Sequence, residues 1–232
     1  MKIAAAAREP EDMQTYECPL CDYTGFFSPR FGSSEIRLDG YCPKCSSLER
    51  QRHIALWIRG TPVTSFGRTL HFAPEKCLFD AVSVNSTSVT GADITEGRAD
   101  LVLNIEAMEL LDRSFDTIIC NHVLEHVDDK KALAEIFRVL SFGGRAVITV
   151  PIVPTWEHSF EKEGITRPSD RHLYFGQRDH VRFFGWDLID RIKAAGFSLT
   201  TIPVTGDEAA KHSINRDHVI FLAEKPVVQD ES

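Results

Sequence analysis

The chain has 232 residues, which is enough for one α/β domain of ordinary size and a small additional module. Hydrophobic residues make up 43% of it and charged residues 26%, a composition that excludes a disordered chain and predicts an ample core. The formal net charge of -8 argues against extended binding to a nucleic-acid backbone.

The first fifteen residues contain a short alanine run that meets Arg8 and Glu9. A signal peptide needs a longer apolar stretch, and no run in the chain approaches the ~20 apolar residues that span a bilayer. We therefore expect residues 1–15 to form a flexible tail on a cytoplasmic protein without a membrane partner. The sequence leaves the oligomeric state open.

Four of the six cysteines form two Cys-x-x-Cys pairs, Cys18 with Cys21 and Cys42 with Cys45. The residues between the pairs include glycines and a proline, which predict turns between short strands. Zinc takes four soft ligands in a tetrahedron, and two such pairs at the ends of a hairpin supply them. A thioredoxin-like redox pair, the alternative, needs only one Cys-x-x-Cys within a βαβ unit. We predict a structural Zn²⁺ ion with a closed ligand shell, in a reducing compartment.

A helix is predicted over residues 46–58, directly after the second cysteine pair, with serine as its N-cap and Gly60 at its end. Trp57 and its apolar neighbours are expected to dock the cysteine module on a larger domain. The basic residues of this region either contact an anion or form a solvated helix face; they are Arg50, Arg52, His53 and Arg59. Residues 16–60 thus form the predicted zinc ribbon with its linking helix, and residues 61–232 a second domain.

Strands and helices alternate in this second domain. The predicted strands are residues 68–72, 88–93, 100–105, 115–120, 145–151, 199–204 and 218–222. Helices are predicted to begin near Pro74, to follow Asp129 with a stop at Gly143 and Gly144, and to cover residues 186–195. This alternation is typical of a doubly wound, mostly parallel sheet of the α/β class, in which ligands bind outside the carboxyl ends of the strands. The segments at those ends are residues 71–75, Asp93, residues 104–106 and residues 121–126.

Two segments carry a family resemblance. Residues 114–127 read Ser-Phe-Asp-Thr-Ile-Ile-Cys-Asn-His-Val-Leu-Glu-His-Val, and residues 138–144 read Arg-Val-Leu-Ser-Phe-Gly-Gly. With the order of the elements, they resemble the class I S-adenosylmethionine-dependent methyltransferases, of the type 11 kind, over residues 65–225. The resemblance implies a Rossmann-like methyltransferase fold with a seven-stranded, mostly parallel sheet, and S-adenosylmethionine as the cofactor.

By that resemblance, the loop after the first strand holds the methionine part of the cofactor. The acid after the second strand holds the ribose hydroxyls, and the loop after the third flanks the adenine. The implied cofactor-binding residues are His71, Phe72, Ala73, Pro74, Glu75, Asp93, Asn104, Ile105, Glu106, Asn121 and His122. Asp93 also suits the chemistry, because one carboxylate can accept hydrogen bonds from both ribose hydroxyls; a solvated acid in a turn is the alternative.

The first loop departs from the family pattern. The family's loop is rich in glycine, which lets the backbone approach the ligand closely, whereas residues 71–75 contain no glycine. The loop then binds the cofactor with altered geometry, binds it weakly, or has lost it. The Leu-His-Phe-Ala-Pro-Glu version resembles that of a bacterial subgroup with an N-terminal cysteine ribbon, which favours altered geometry.

Residues 151–185 do not fit a helix–strand unit and are rich in arginine, histidine and aromatic residues. An insertion after the fifth strand lies at the ligand-binding edge, where it can form a lid and an acceptor pocket. His126 and His180 are the candidate general bases.

The sequence therefore predicts an S-adenosylmethionine-dependent methyltransferase whose acceptor is a small molecule, a sugar or another metabolite. Two alternatives stay open. One is an RNA or protein methyltransferase that uses the ribbon for recognition, and the other is a catalytically inactive scaffold.

Overall fold

The computed structural model describes residues 14–31 and 36–227, so residues 1–13 of the predicted tail lie outside the described part. The chain begins with two short antiparallel ribbons. Strand β1 (Tyr16–Glu17) pairs with β2 (Thr24–Gly25), and β3 (Ser28–Phe31) pairs with β4 (Ile36–Tyr41). Helix α1 (Glu49–Arg59) follows and ends at Gly60.

The second domain holds the remaining elements. Its strands are β5 (Arg68–Phe72), β6 (Ser88–Asp93), β7 (Leu101–Val102), β8 (Phe115–Asn121), β9 (Leu140–Thr149), β10 (Phe160–Glu161), β11 (Arg182–Phe183), β12 (Ser198–Pro203) and β13 (Val219–Glu224). Its helices are α2 (Lys76–Asn85), α3 (Asp129–Val139), α4 (Pro168–Phe175), α5 (Leu188–Ala194) and α6 (Gly206–His212).

Seven strands form one sheet in the order β12-β13-β9-β8-β5-β6-β7, while β10 and β11 pair with each other. The five strands from β9 to β7 run parallel, and β13 is antiparallel to both of its neighbours. The predicted doubly wound, mostly parallel, seven-stranded sheet is therefore confirmed. The carboxyl ends of β5, β6 and β8 meet at one edge, which is where ligands bind in such sheets.

Helices cover both faces of the sheet. On one face, apolar residues of α3 and α5, among them Ile136 and Ile192, pack on strand residues such as Ile118. On the other face, Ile54 and Ile58 of α1 join Leu78 of α2 in a second core cluster. Trp57 stacks on Phe66 with ring centroids 5.4 Å apart, so its predicted docking role is confirmed.

The basic face of α1 differs from the predicted solvated face. Arg52 is fully buried and His53 is 3% exposed, so the solvated alternative is wrong for both. The N-cap is Leu48 rather than a serine, and the Gln51 side chain accepts a hydrogen bond from its backbone N–H. Only Arg59 fits the solvated face, because it is exposed and pairs with Asp22 across 2.6 Å.

Arg52 ties the cysteine module to the sheet domain. Its guanidinium donates to the backbone carbonyls of Gly40 (3.2 Å) and Ser47 (2.6 Å), which flank the second cysteine pair. It also donates to the carbonyls of His212 (2.8 Å) and Ser213 (2.6 Å) at the end of α6. One side chain therefore holds together segments that are distant in sequence.

Several boundaries and elements differ from the sequence predictions. Helix α3 ends at Val139, and β9 already begins at Leu140, so Gly143 and Gly144 do not stop the helix. Gly143 instead adopts a φ of 72°, at an irregularity in the pairing of β8 with β9. The third strand is reduced to β7, and α6 has no predicted counterpart.

Across residues 14–31 and 36–227, none of the helices combines the length and apolar character needed to cross a bilayer.

Candidate functional site

The four paired cysteines form a cluster at the start of the chain. Cys18 and Cys45 have their sulfurs 3.6 Å apart, Cys21 and Cys42 3.5 Å apart, and all four sulfurs lie within 4.8 Å of one another. A tetrahedral zinc ion with Zn–S bonds of about 2.3 Å requires sulfurs roughly 3.8 Å apart. The donor set therefore fits a zinc ion whose four positions are all filled by protein.

The segment 71–75, at the end of β5, exposes its backbone and its last residues at the sheet edge. The side chains of its first two residues are buried. His71 and Phe72 are buried, whereas Ala73 is exposed and Pro74 and Glu75 are half-buried. Ala73 adopts a φ of 45°, in the left-handed region that glycine enters most easily. The loop thus makes a sharp turn without the glycines typical of the family.

His71 is a buried, neutral residue of the sheet. Burial lowers its pKa to about 3. Its ring stacks on Phe79, and neither ring nitrogen has a hydrogen-bond partner among the described residues. Any contact of this position with a ligand must therefore use the backbone.

This burial predicts a pH dependence of stability. The unfolded chain takes up a proton at His71 near pH 6.5, whereas the folded chain resists protonation until about pH 3. The unfolded state binds more protons between these values, so the free energy of unfolding decreases as the pH is lowered, by up to ~1.4 kcal/mol per pH unit from this residue. Urea unfolding of His71→Leu from about pH 7 to pH 5 should show a shallower decline than the wild type. The exposed His158→Leu should follow the wild type, and equal slopes for all three proteins would contradict the assignment.

Glu75 connects this loop to two other elements. Its Oε1 accepts hydrogen bonds from Gln51 of α1 (2.8 Å) and from Asn121 at the end of β8 (2.9 Å). Arg50 lies 3.5 Å from the same oxygen, and Thr149 of β9 donates to the Asn121 amide oxygen. The structure therefore brings together Glu75 and Asn121, both predicted cofactor-binding residues.

The remaining predicted cofactor positions follow β6 and β7. Asp93 is half-buried at the end of β6, where the Thr95 N–H donates to its Oδ1 (2.7 Å) and orients the carboxylate. Asn104 is exposed, and its side chain accepts from the Glu106 N–H (3.0 Å). Ile105 is part of the hydrophobic core. Glu106 accepts from the Asp128 N–H (2.8 Å) and thereby connects this loop to the start of α3.

The turn after β8 carries the most polar cluster of the sheet edge. His122 adopts a φ of 55°, and a single 3-10 turn over Leu124–His126 follows. Such strained positions concentrate at functional sites. Glu125 is buried, and its Oε1 lies 3.1 Å from Nδ1 of His122. Burial raises the pKa of Glu125, but the charge and hydrogen bond of His122 outweigh it and hold the net pKa below its ordinary value.

The two predicted catalytic histidines lie side by side. The rings of His126 and His180 make a T-shaped contact with centroids 4.7 Å apart. His126 is half-exposed, with Nδ1 3.4 Å from Asp179, while His180 is 4% exposed. Burial, together with the charges of His126 and His122, lowers the pKa of His180, so its ring is neutral at physiological pH.

Arg182 fixes the insertion against the turn after β8. Its guanidinium is buried, donates to the carbonyls of Leu124 (3.0 Å) and Val127 (2.7 Å), and pairs with Asp129 at the start of α3 (3.1 Å). His180 precedes it by two residues and is thereby held beside the turn. The sequence indicates only that the insertion lies near the ligand-binding edge, whereas the structure shows how it is attached.

A cavity of ≈ 440 Å³ lies over this cluster. Its lining joins four parts of the chain: the cysteine module with α1, the turn after β8, the insertion, and the residues before β13. The lining residues are Arg30, Arg37, Glu49, Arg50, His122, Glu125, His126, Val150, Pro151, Ile152, Phe175, Gly176, Gln177, His180, Phe183, Asn215, Asp217 and His218.

Both predicted catalytic histidines line this cavity, but of the predicted cofactor-binding residues only His122 does. The loop after β5 and Asp93 lie outside its lining. Sequence reasoning missed the contribution of the cysteine module, because nothing in a short hairpin indicates which distant segment it will face. Arg30 and Arg37 belong to no recognisable sequence motif, and His218 was predicted only as the first residue of a strand.

Comparisons with known proteins agree with the sheet. Residues 69–148 match the family model described as a methyltransferase domain. No curated protein matches the chain. Many solved structures share the fold.

An S-adenosylmethionine-dependent methyltransferase from Mesorhizobium loti has a TM-score of 0.54 and 14% identity, over 74% of this chain and 97% of that one. The Burkholderia thailandensis 1,6-didemethyltoxoflavin-N1-methyltransferase has a TM-score of 0.51 and 17% identity, over 76% and 78%. The cyclase SpnF has a TM-score of 0.54 and 16% identity, over 77% and 81%. At these identities the neighbours establish the fold, and the family match establishes the domain. The matched segment and the strand order around it show a methyltransferase domain, with the fold of the S-adenosylmethionine-dependent methyltransferase among these neighbours.

Proposed function

We propose that this methyltransferase acts on a small polar molecule, a sugar or a metabolite, bound in the cavity over the turn after β8. The observation that carries the proposal is the cavity itself. Its volume of ≈ 440 Å³ lies within the range of roughly 300–1,000 Å³ that small-molecule sites occupy. Both candidate catalytic histidines face it.

The charges of the lining favour a polar acceptor over a nucleic-acid backbone. Three arginines are balanced by three carboxylates, those of Glu49, Glu125 and Asp217. Glu49 also neutralises part of the arginine charge directly, since its Oε1 lies 2.6 Å from Arg37 and 3.8 Å from Arg30. Donors and acceptors of both signs suit hydroxyl and amine groups, whereas a phosphate polymer requires a net positive surface.

The cofactor is proposed to bind along the carboxyl ends of β5 and β6. The exposed backbone at Ala73 fits the methionine part, and the oriented Asp93 carboxylate fits the ribose hydroxyls. The sulfonium supplies an activated methyl group. The protein aligns the acceptor atom with that methyl carbon. A side chain of the protein accepts the proton that the acceptor atom loses. His126 and His180 stay the predicted bases for a hydroxyl acceptor.

The Asp93→Ala variant tests the proposed cofactor site directly. Losing a charged acceptor for the ribose hydroxyls costs roughly 1.5–3 kcal/mol, so the affinity for S-adenosylmethionine should fall about tenfold to a hundredfold. Isothermal titration calorimetry measures it, with S-adenosylhomocysteine as a second ligand. The exposed Asp190→Ala should bind like the wild type, and an unchanged affinity of Asp93→Ala would refute the ribose assignment.

The acceptor class is tested by following a radiolabelled methyl group. The protein and labelled S-adenosylmethionine are incubated separately with small metabolites, RNA and protein from a cell extract. We expect label on a small molecule. Label on RNA or protein would instead support the alternative in which the cysteine module recognises a macromolecule. The Burkholderia thailandensis neighbour, whose structure holds 1,6-didemethyltoxoflavin and S-adenosylhomocysteine, supports the small-molecule class by analogy of fold.

We also propose that the cysteine cluster binds one Zn²⁺ ion and that this ion is structural. The apolar cluster of the module contains few residues beyond two of the cysteines themselves, chiefly Tyr16 and Phe27. A core of this size does not fold by itself without a metal or a cross-link. The four thiolates leave no position for an acceptor.

A further inference from the structure

We infer that the turn after β8 and the insertion form a second metal site, in which Glu125, His126 and His180 bind one divalent transition-metal ion at the wall of the acceptor cavity. One potential ligand atom from each of these residues lies within 4.8 Å of the others. Metal–nitrogen and metal–oxygen bonds of about 2.1 Å place such atoms roughly 3–3.5 Å apart, so ring rotations that move them by about an ångström complete the site.

Two buried polar atoms of this cluster have no hydrogen-bond partner in the described part of the chain. The Glu125 side chain is 1% exposed, and its Oε2 has no hydrogen-bond partner there. The same holds for Nδ1 of His180, a residue that is 4% exposed. Unpartnered polar atoms at this depth are costly, whereas a cation between them satisfies both.

The surrounding residues orient the potential ligands. Nδ1 of His122 lies 3.1 Å from Oε1, the second carboxylate oxygen of Glu125. A carboxylate oxygen of Asp179 lies 3.4 Å from Nδ1 of His126. Metal-binding histidines are commonly oriented in this way, by a carboxylate at the ring nitrogen that does not bind the metal. Arg182 in turn holds the insertion strand that carries His180.

The donor set determines the class of metal and its open positions. Two imidazoles and one carboxylate, without sulfur, suit Mn²⁺, Fe²⁺, Co²⁺ or Zn²⁺. Three protein ligands leave positions for further ligands, unlike the closed cysteine cluster. All three residues line the ≈ 440 Å³ cavity, so those open positions face the space that the acceptor occupies. On the function proposed above, the ion would bind an acceptor hydroxyl and favour its deprotonated form, with the proton released to solvent, and the two histidines would then act as ligands in place of a general base.

Titration with Mn²⁺ of the full chain, loaded with one equivalent of zinc so that only the cysteine cluster is filled, tests the site in the absence of cofactor and acceptor. Mn²⁺ prefers oxygen and nitrogen donors, so it leaves the cysteine cluster unchanged. Electron paramagnetic resonance of the free ion should show one Mn²⁺ bound per chain. Glu125→Gln and His180→Ala should each weaken binding at least tenfold. His172→Ala, an exposed histidine of the same insertion, is the matched control and should bind as tightly as the wild type.

Two results would overturn the site: no Mn²⁺ bound to the wild type, or equal binding by Glu125→Gln and the wild type. Circular dichroism and zinc content verify that each variant is folded. If His180→Ala does not fold, His126→Gln, at a half-exposed position, replaces it. The cofactor titration described above is run on the same samples. If the variants lose Mn²⁺ binding but bind S-adenosylmethionine as tightly as the wild type, the metal site is separate from the cofactor site. If instead the proposed function is wrong, the wild type fails in the cofactor or acceptor assays while its Mn²⁺ binding is unaffected.

Discussion

Replacing Arg52 with methionine is expected to lower the free energy of unfolding by about 3–5 kcal/mol, the usual cost of breaking a buried charged network. The guanidinium is fully buried, donates to four backbone carbonyls and lies over the ring of Phe27 at 4.7 Å. Methionine keeps much of the apolar stem but leaves those carbonyls without donors. Urea denaturation measures the change.

Arg59→Met is the matched control on the same helix. Its ion pair with Asp22 joins two exposed side chains, and such pairs contribute less than about 1 kcal/mol. We expect it to unfold close to the wild type. Arg52→Lys should recover little of the lost stability, because one ammonium group cannot reach all four carbonyls around the edge of the guanidinium. An Arg52→Met variant within about 1 kcal/mol of the wild type would show that the carbonyls find water instead.

Replacing Cys42 with serine is expected to abolish zinc binding and unfold the cysteine module. Structural zinc sites contribute roughly 10–16 kcal/mol of apparent binding free energy, and the module has only a small core with which to replace it. A serine hydroxyl stays protonated and is a poor zinc ligand. Metal analysis should find about one zinc per wild-type chain and almost none in the variant, and limited proteolysis should cleave between residues 16 and 48.

Cys77→Ser serves as the control, because Cys77 is a half-buried thiol outside the cluster. It should keep its zinc and its resistance to protease. Zinc retained by Cys42→Ser at wild-type affinity would argue against a four-thiolate site. Because the module supplies Arg30 and Arg37 to the cavity, the variant should also lose affinity for the acceptor more than for the cofactor.

The elements with strong local signals were predictable from the sequence. The strands β5, β6 and β8 followed from the sequence pattern, while the roles predicted for the residues at their ends came from the family resemblance. The cysteine spacing likewise predicted a cluster that the structure forms. The capping box of α6, Thr205 with Glu208, was a local signal that could have revealed the missed helix.

Other features depend on long-range contacts that no local pattern reports. Arg52 sits in a run of charged residues typical of a solvent-facing helix, and it is buried because the carbonyls of Gly40 and Ser213 converge on it. The left-handed turn at Ala73 lacks the glycine that would have predicted it. The cavity likewise combines residues 30–50 with residues 215–218, a juxtaposition created only by folding.

The hairpin of β3 and β4 has a consequence for how acceptor choice can change. It lies between the two cysteine pairs and supplies Arg30 and Arg37 to the cavity, whereas its described residues lie apart from the strand ends proposed to bind the methyl donor. Two chains that shared the same sheet and differed only in this hairpin would select different acceptors while binding the donor equally. The range of acceptors could therefore change through a few substitutions in a hairpin that the proposed zinc site holds in place, while the sheet that binds the donor stays the same.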